Sequence, residues 1–127
     1  MDNTQPADPA VNLALRAFLT RMRRHYLTSP DGIAPGIAAA VADSLATAQR
    51  TWHQHDDIAG LRTALTAELH RRHQRAERMQ HLADNNSHGR GSGIARSYAR
   101  WRAHHAQAAE LLAAIIRALD TEFANHP

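Results

Sequence analysis

The chain has 127 residues, room for one domain that buries a shared core without covalent staples. Its 26 Ala and 12 Leu far outnumber 6 Ile and 2 Val, which favours helices over pleated sheets, and the absence of cysteine excludes disulfides, thiol nucleophiles and thiolate metal sites. The net charge is +3, carried by 15 arginines without a lysine, and the longest apolar runs, Leu111 to Ile116 and Ile37 to Ala42, fall far short of the about 20 residues that span a bilayer.

Asp8-Pro9 reads as an N-cap followed by the helical position where proline's missing N–H costs nothing, and Val11, Leu15, Phe18, Met22 and Tyr26 then recur at helical spacing. This predicts a first helix over about 9–28, after residues 1–7 that are expected to be disordered. Ser29-Pro30-Asp31-Gly32 breaks it. Pro35 restarts a helix over about 35–53 with the stripe Ile37, Val41, Leu45, Ala48 and Trp52. After the polar stretch His53 to Asp56, Asp57 is a candidate cap for a long helix over about 57–85. Its stripe reads Ile58, Leu61, Leu65, Leu69, Ala76, Met79 and Ala83, interrupted by Arg72. The glycine-rich segment Ser87 to Gly93 reads as a flexible turn in which Ser92 could cap the last helix, over about 93–125. Ile94, Tyr98, Trp101, His105, Ala108, Leu112, Ile115 and Leu119 there alternate steps of four and three, the period of a coiled-coil seam.

Four helices with short connections predict an all-α single domain over 1–127, an antiparallel up-down-up-down bundle whose third and fourth helices form a long coiled-coil-like hairpin. At 1.5 Å per residue those two reach roughly 40 to 45 Å against about 30 Å for the first two, so the glycine-turn end is expected to project. Charge is polarised along the chain: +2 over residues 1–30, −3 over 31–69, +6 over 70–105 and −2 over 106–127. In this topology Arg21, Arg23, Arg24 and His25 are expected at the same pole as the hairpin tip, with Asp56, Asp57, Asp120 and Glu122 opposite, a field able to orient an anionic partner.

The candidate binding residues are therefore Arg71, Arg75, Arg78, Arg90, Arg96, Tyr98, Arg100, Trp101 and Arg102, in which aromatic rings sit among guanidinium groups. Packing of Tyr98 and Trp101 against Met79 and Leu82 across the seam is the plainer reading; a surface for a protein partner or for nucleobases is the functional one. His70, His73, Glu77 and His81 share one face of the third helix, and His104 or His105 could reach their level. The interleaved arginines and the missing HExxH and paired ExxH patterns argue against a metal, so no metal ligand and no cofactor is assigned. The glycine turn lacks P-loop and dinucleotide-binding spacing, and the serines lie in no catalytic context. Asp84, His88 and Ser92 would need a flexible turn to hold acid–base geometry. No catalytic residue is assigned.

The leading expectation is a non-enzymatic interaction or regulatory protein working by helix-to-helix contact, as a homodimer or in a hetero-complex. Next come nucleic-acid binding through the basic pole and a His/Glu metal site. No membrane contact is expected, and with no basic start followed by an apolar stretch, a soluble cytoplasmic protein is.

Overall fold

The computed structural model describes residues 9–28, 30–52, 57–86 and 92–125, and these form four helices: α1 (Pro9–Leu27), α2 (Pro35–Trp52), α3 (Ile58–Asn85) and α4 (Ser92–Glu122). No strand occurs among the described residues, so the all-helical expectation holds. The candidate cap Asp8, residues 1–7, the turn residues Ser87 to Gly91, including Arg90, and the side chain of Ser92 lie outside what is described.

The helix ends follow from local chemistry. Thr28 closes α1, its backbone N–H on the Arg24 carbonyl at 3.1 Å and its hydroxyl on the His25 carbonyl at 2.8 Å. Pro30 to Ile33 then form a turn in which the Ile33 N–H donates to the Pro30 carbonyl at 3.2 Å, with Gly32 at φ +84°, a conformation that costs glycine least. The Ala34 carbonyl accepts from both Ile37 and Ala38, placing Pro35 at the first helical position. Asp57 caps α3: its backbone is extended and its carboxylate accepts the Gly60 N–H at 2.6 Å. Buried Trp52 donates its indole N–H to the Asp57 carbonyl at 2.9 Å, tying the end of α2 to the start of α3.

The core combines the stripes. Leu15, Phe18 and Leu19 of α1, Val41, Leu45, Ala48 and Trp52 of α2, Leu61 and Leu65 of α3, and Ala108, Leu112, Ile115 and Leu119 of α4 form one cluster closed by Phe123. The interface between α3 and α4 is the most extensive. Arg62 pairs with Asp120 near one end of it, and Arg72 meets His105 further along, so α4 descends as α3 ascends. Phe18 packs edge-on against Phe123 with ring centroids 6.2 Å apart, while Met22, His25 and Tyr26 share a depression with Ala114, Ile115 and Ala118. The C-terminal end of α1 therefore lies beside the last third of α4. At the other end of the α1–α2 turn, a Cβ added to Gly36 would lie 3.1 Å from His104 Cε1, so α2 begins at the level of His104.

Two expectations are corrected. Arg21 was expected beside the hairpin tip and Glu122 at the opposite pole, yet they pair at 2.7 Å, because α1 is displaced towards the end of α4. The predicted seam of α4 is buried from His105 onward, but its first part is not. Ile94 is 53% and Trp101 52% exposed, because the helices that cover Ala108 and Ile115 begin or end below them.

Candidate functional site

A polar layer crosses the core at the level of Arg72. Arg72 stands seven residues beyond Leu65 and faces inward with it, so it continues the buried stripe of α3 instead of interrupting it. It is 5% exposed, so its charge lies in the core and not on the basic surface of the hairpin. The guanidinium fork is spent on two neighbouring helices: Nε donates to Ser44 Oγ at 2.9 Å and Nη2 to the Ala40 carbonyl at 2.9 Å, both of α2, and Nη1 lies 3.4 Å from His105 Nδ1 of α4. For Nδ1 to accept, the His105 ring must be neutral and carry its proton on Nε2. Burial first, then the Arg72 charge, followed by His104 and Arg75, pushes the His105 pKa below its ordinary value; burial and then Arg72 do the same to His104.

Glu68 is buried as well, 4% exposed, its carboxylate reaching the half-exposed Arg71 at 2.6 Å. Burial, the largest cause, lowers the Arg72 pKa, with Arg75 adding to it and Asp43 and Glu68 opposing. Trp101 covers the layer, stacked on His105 at 6.1 Å and meeting His104 edge-on at 5.2 Å.

Sequence reasoning missed Ser44 and Glu68 as parts of this layer. The signal was available: a serine between Val41 and Leu45, a glutamate three residues past Leu65 and an arginine seven past it are polar residues at core positions on facing helices, and buried polar groups demand partners.

Above the layer α3 and α4 run on past the first residue of α2. Ile94, Trp101, Ala108 and Ile115 follow at seven-residue steps along one face of α4; the last two are buried at 0% and 2%, the first two half exposed. On α3, Ala76 and Ala83 are buried, whereas Met79 and Leu82 are half-buried. Half-buried Tyr98 lies on the α3 side of α4. The result is an open slot between α3 and α4 that continues the position of α2 past its first residue.

Arg71, Arg75 and Arg78 run along one flank of α3, and all are exposed; Arg96 and Arg100 are exposed on α4. Arg102 is half-buried and points to another side of α4, since two helical steps turn the chain by roughly 200°. The candidate arginines are therefore not one surface. Apart from Arg71, none of these has an ion pair among the described residues.

The metal candidates do not converge. His70, His73, Glu77 and His81 are exposed on the outer face of α3, while His105 lies in the core, and no group of three or more His, Asp or Glu among the described residues could hold a metal ion. Ser92 and His88 of the paper triad lie outside the described side chains. At the opposite end, a groove of about 390 Å³ is lined mostly by Ala, Gly and Thr of α2 and α3, and its carboxylate, Asp57, is occupied in capping α3. Among the described residues no helix is long and apolar enough to cross a membrane.

Comparison with known proteins returns no match to any family model, curated protein or solved structure.

Proposed function

We propose that this protein is a non-enzymatic, cytoplasmic interaction or regulatory protein that docks another helix against the distal part of its α3–α4 hairpin, in a second copy of itself or in a different chain. The observation that carries this reading is the half exposure of Ile94 and Trp101 at the register that is buried lower on the same face. Aromatic and aliphatic anchors left uncovered beside arginines have the composition of interface centres. The opposed pairings of α3 with α4 and of α1 with α4 support an antiparallel up-down-up-down bundle, and the regular steps on α4 support a coiled-coil-like seam.

Two measurements test the reading. Light scattering after size exclusion gives the self-associated fraction; a mass that stays at one chain at high concentration removes the homodimer version. Capture from the native host with wild-type protein and with an Ile94→Ala, Trp101→Ala variant tests the other version, and equal capture by both would overturn it.

Contact with nucleic-acid backbone is the second reading, favoured by Arg75, Arg78, Arg96 and Arg100, exposed and without an ion pair among the described residues. Tracking phosphates calls for a continuous stripe, and the divergence of Arg102 from Arg100 weakens the case. Fluorescence anisotropy at about 50 mM salt decides it, because a backbone binder that shows no affinity for duplex or single strand there has no electrostatic contribution to rest on.

A further inference from the structure

We infer that the occupant of the slot above α2 is an acidic amphipathic helix of another protein, lying along the continuation of the α2 axis with its apolar face on Ile94, Trp101 and Leu82. The inference rests on the helix-docking reading and adds the chemistry of the partner. From Ser92 to His104 the uncovered part of α4 is about 18 Å long at 1.5 Å per residue, enough for about three turns of a partner helix.

The flanks of the slot set its charge preference. Arg75 and Arg78 border it on α3 and Arg100 on α4, all exposed and without an ion pair among the described residues. The distal carboxylates do not neutralise them. Glu77 and Asp84 lie on the outer face of α3, roughly opposite its buried stripe, and Asp84 already accepts from Gln80 at 2.8 Å. A helix with Asp or Glu on either side of an apolar stripe would meet these charges, whereas a basic one would be repelled.

The same charges disfavour a second copy. A two-fold arrangement of two slots sets Arg75, Arg78 and Arg100 of each protomer near those of its mate. The carboxylates clustered at the far end of the molecule cannot substitute, because Asp120 is engaged by Arg62 and Glu122 by Arg21.

The test uses three fluorescein-labelled synthetic helices of about 20 residues with one leucine stripe, differing only in whether the flanking positions are Glu, Gln or Lys. Anisotropy titrations against the full chain at low salt should show the Glu peptide binding at least about tenfold more tightly than the Gln peptide and the Lys peptide weakest, with the difference shrinking as salt rises. The surface variant Arg75→Glu, Arg78→Glu, Arg100→Glu should reverse the order, and Trp101→Ala should weaken all binding. Equal affinity for Glu and Gln peptides overturns the acidic partner but leaves helix docking standing. Binding indifferent to Trp101→Ala places the peptides elsewhere and overturns the site. No binding by any peptide to a monomeric chain overturns both readings, and a dimer whose association is lost in Trp101→Ala assigns the slot to a second copy and overturns this inference alone.

Discussion

The two halves of the α3–α4 hairpin share a sequence pattern and differ in what covers them. From Leu61 to Leu65 and from Ala108 to Leu119, the core-facing positions share one cluster with residues of α1 and α2, and Leu61, Leu65, Ala108, Leu112 and Leu119 are sealed from solvent. In the distal part the same register continues past the first residue of α2, and there Ala76 and Ala83 are still buried while Ile94 and Trp101 are half exposed. An apolar position in a helical repeat thus says which way a residue points; its burial depends on the length of the neighbouring helices.

The sharpest attack on this contrast is at the boundary layer. Arg72→Ala is expected to destabilise the fold by about 3 to 5 kcal/mol, because it removes a long buried side chain and leaves Ser44 and the Ala40 carbonyl without the donor they share. Urea unfolding measures it. A loss under about 1 kcal/mol would mean that the layer is wet and that the boundary between the halves is less abrupt than described. Arg72→Met, which keeps much of the volume but not the donors, should fall in the same direction, separating lost packing from lost hydrogen bonds.

Within the covered half, Leu112→Ala should cost about 2 to 5 kcal/mol, since the side chain is fully buried and its neighbours on several helices cannot all collapse onto the gap. Thermal melts or urea curves read this directly. A small loss would show that the lower core repacks easily.

Acid acts through the same layer with a smaller expected loss. The folded-state pKa of His105 lies below its ordinary 6.5, so its contribution to stability is complete above that value and is lost as the pH falls from it towards the depressed pKa. His104 changes stability in the same direction. Protonation of His105 would put a second positive charge beside Arg72 and remove the Nδ1 acceptor, loosening the ring against which Trp101 stacks. Unfolding free energy should therefore be lower at about pH 5.5 than at about pH 7.5, and His105→Gln should flatten that slope. An unchanged slope in the variant would move the acid sensitivity elsewhere.

These contrasts show which parts of the structure were legible in the sequence. Asp57 as cap, Pro35 as restart and the stripe Ile37, Val41, Leu45, Ala48 and Trp52 are local: spacing and backbone chemistry determine them, and all are observed. The burial of Arg72 and Glu68 was not legible, because it depends on Ser44 and Arg71, partners that become visible only when helices are brought together or a side chain folds back along its own. The displacement of α1, which joins Arg21 to Glu122, depends on the packing of Phe18 against Phe123, and no feature of the first helix alone specifies that register. Trp101 stacks on His105 and meets His104 of its own helix while half its surface is open, contacts that neither reading of the sequence named.

The smallest expected effect isolates the distal half. Ile94→Ala should change the stability of the free protein by less than about 0.5 kcal/mol, because a side chain already 53% exposed gives up little buried area and leaves no enclosed cavity, and alanine is the better helix former. Leu112 and Ile94 are both apolar residues at core-facing positions of α4, so the difference between the two variants measures cover and not side-chain type. If Ile94→Ala lost as much as Leu112→Ala, the distal stripe would have to be covered in solution, by self-association or by the chain itself, and the slot would not be open. A near-zero change beside weakened capture of a helical partner would instead show that the exposed register is kept for binding, since its contribution to folding would then be too small to account for an isoleucine and a tryptophan facing water.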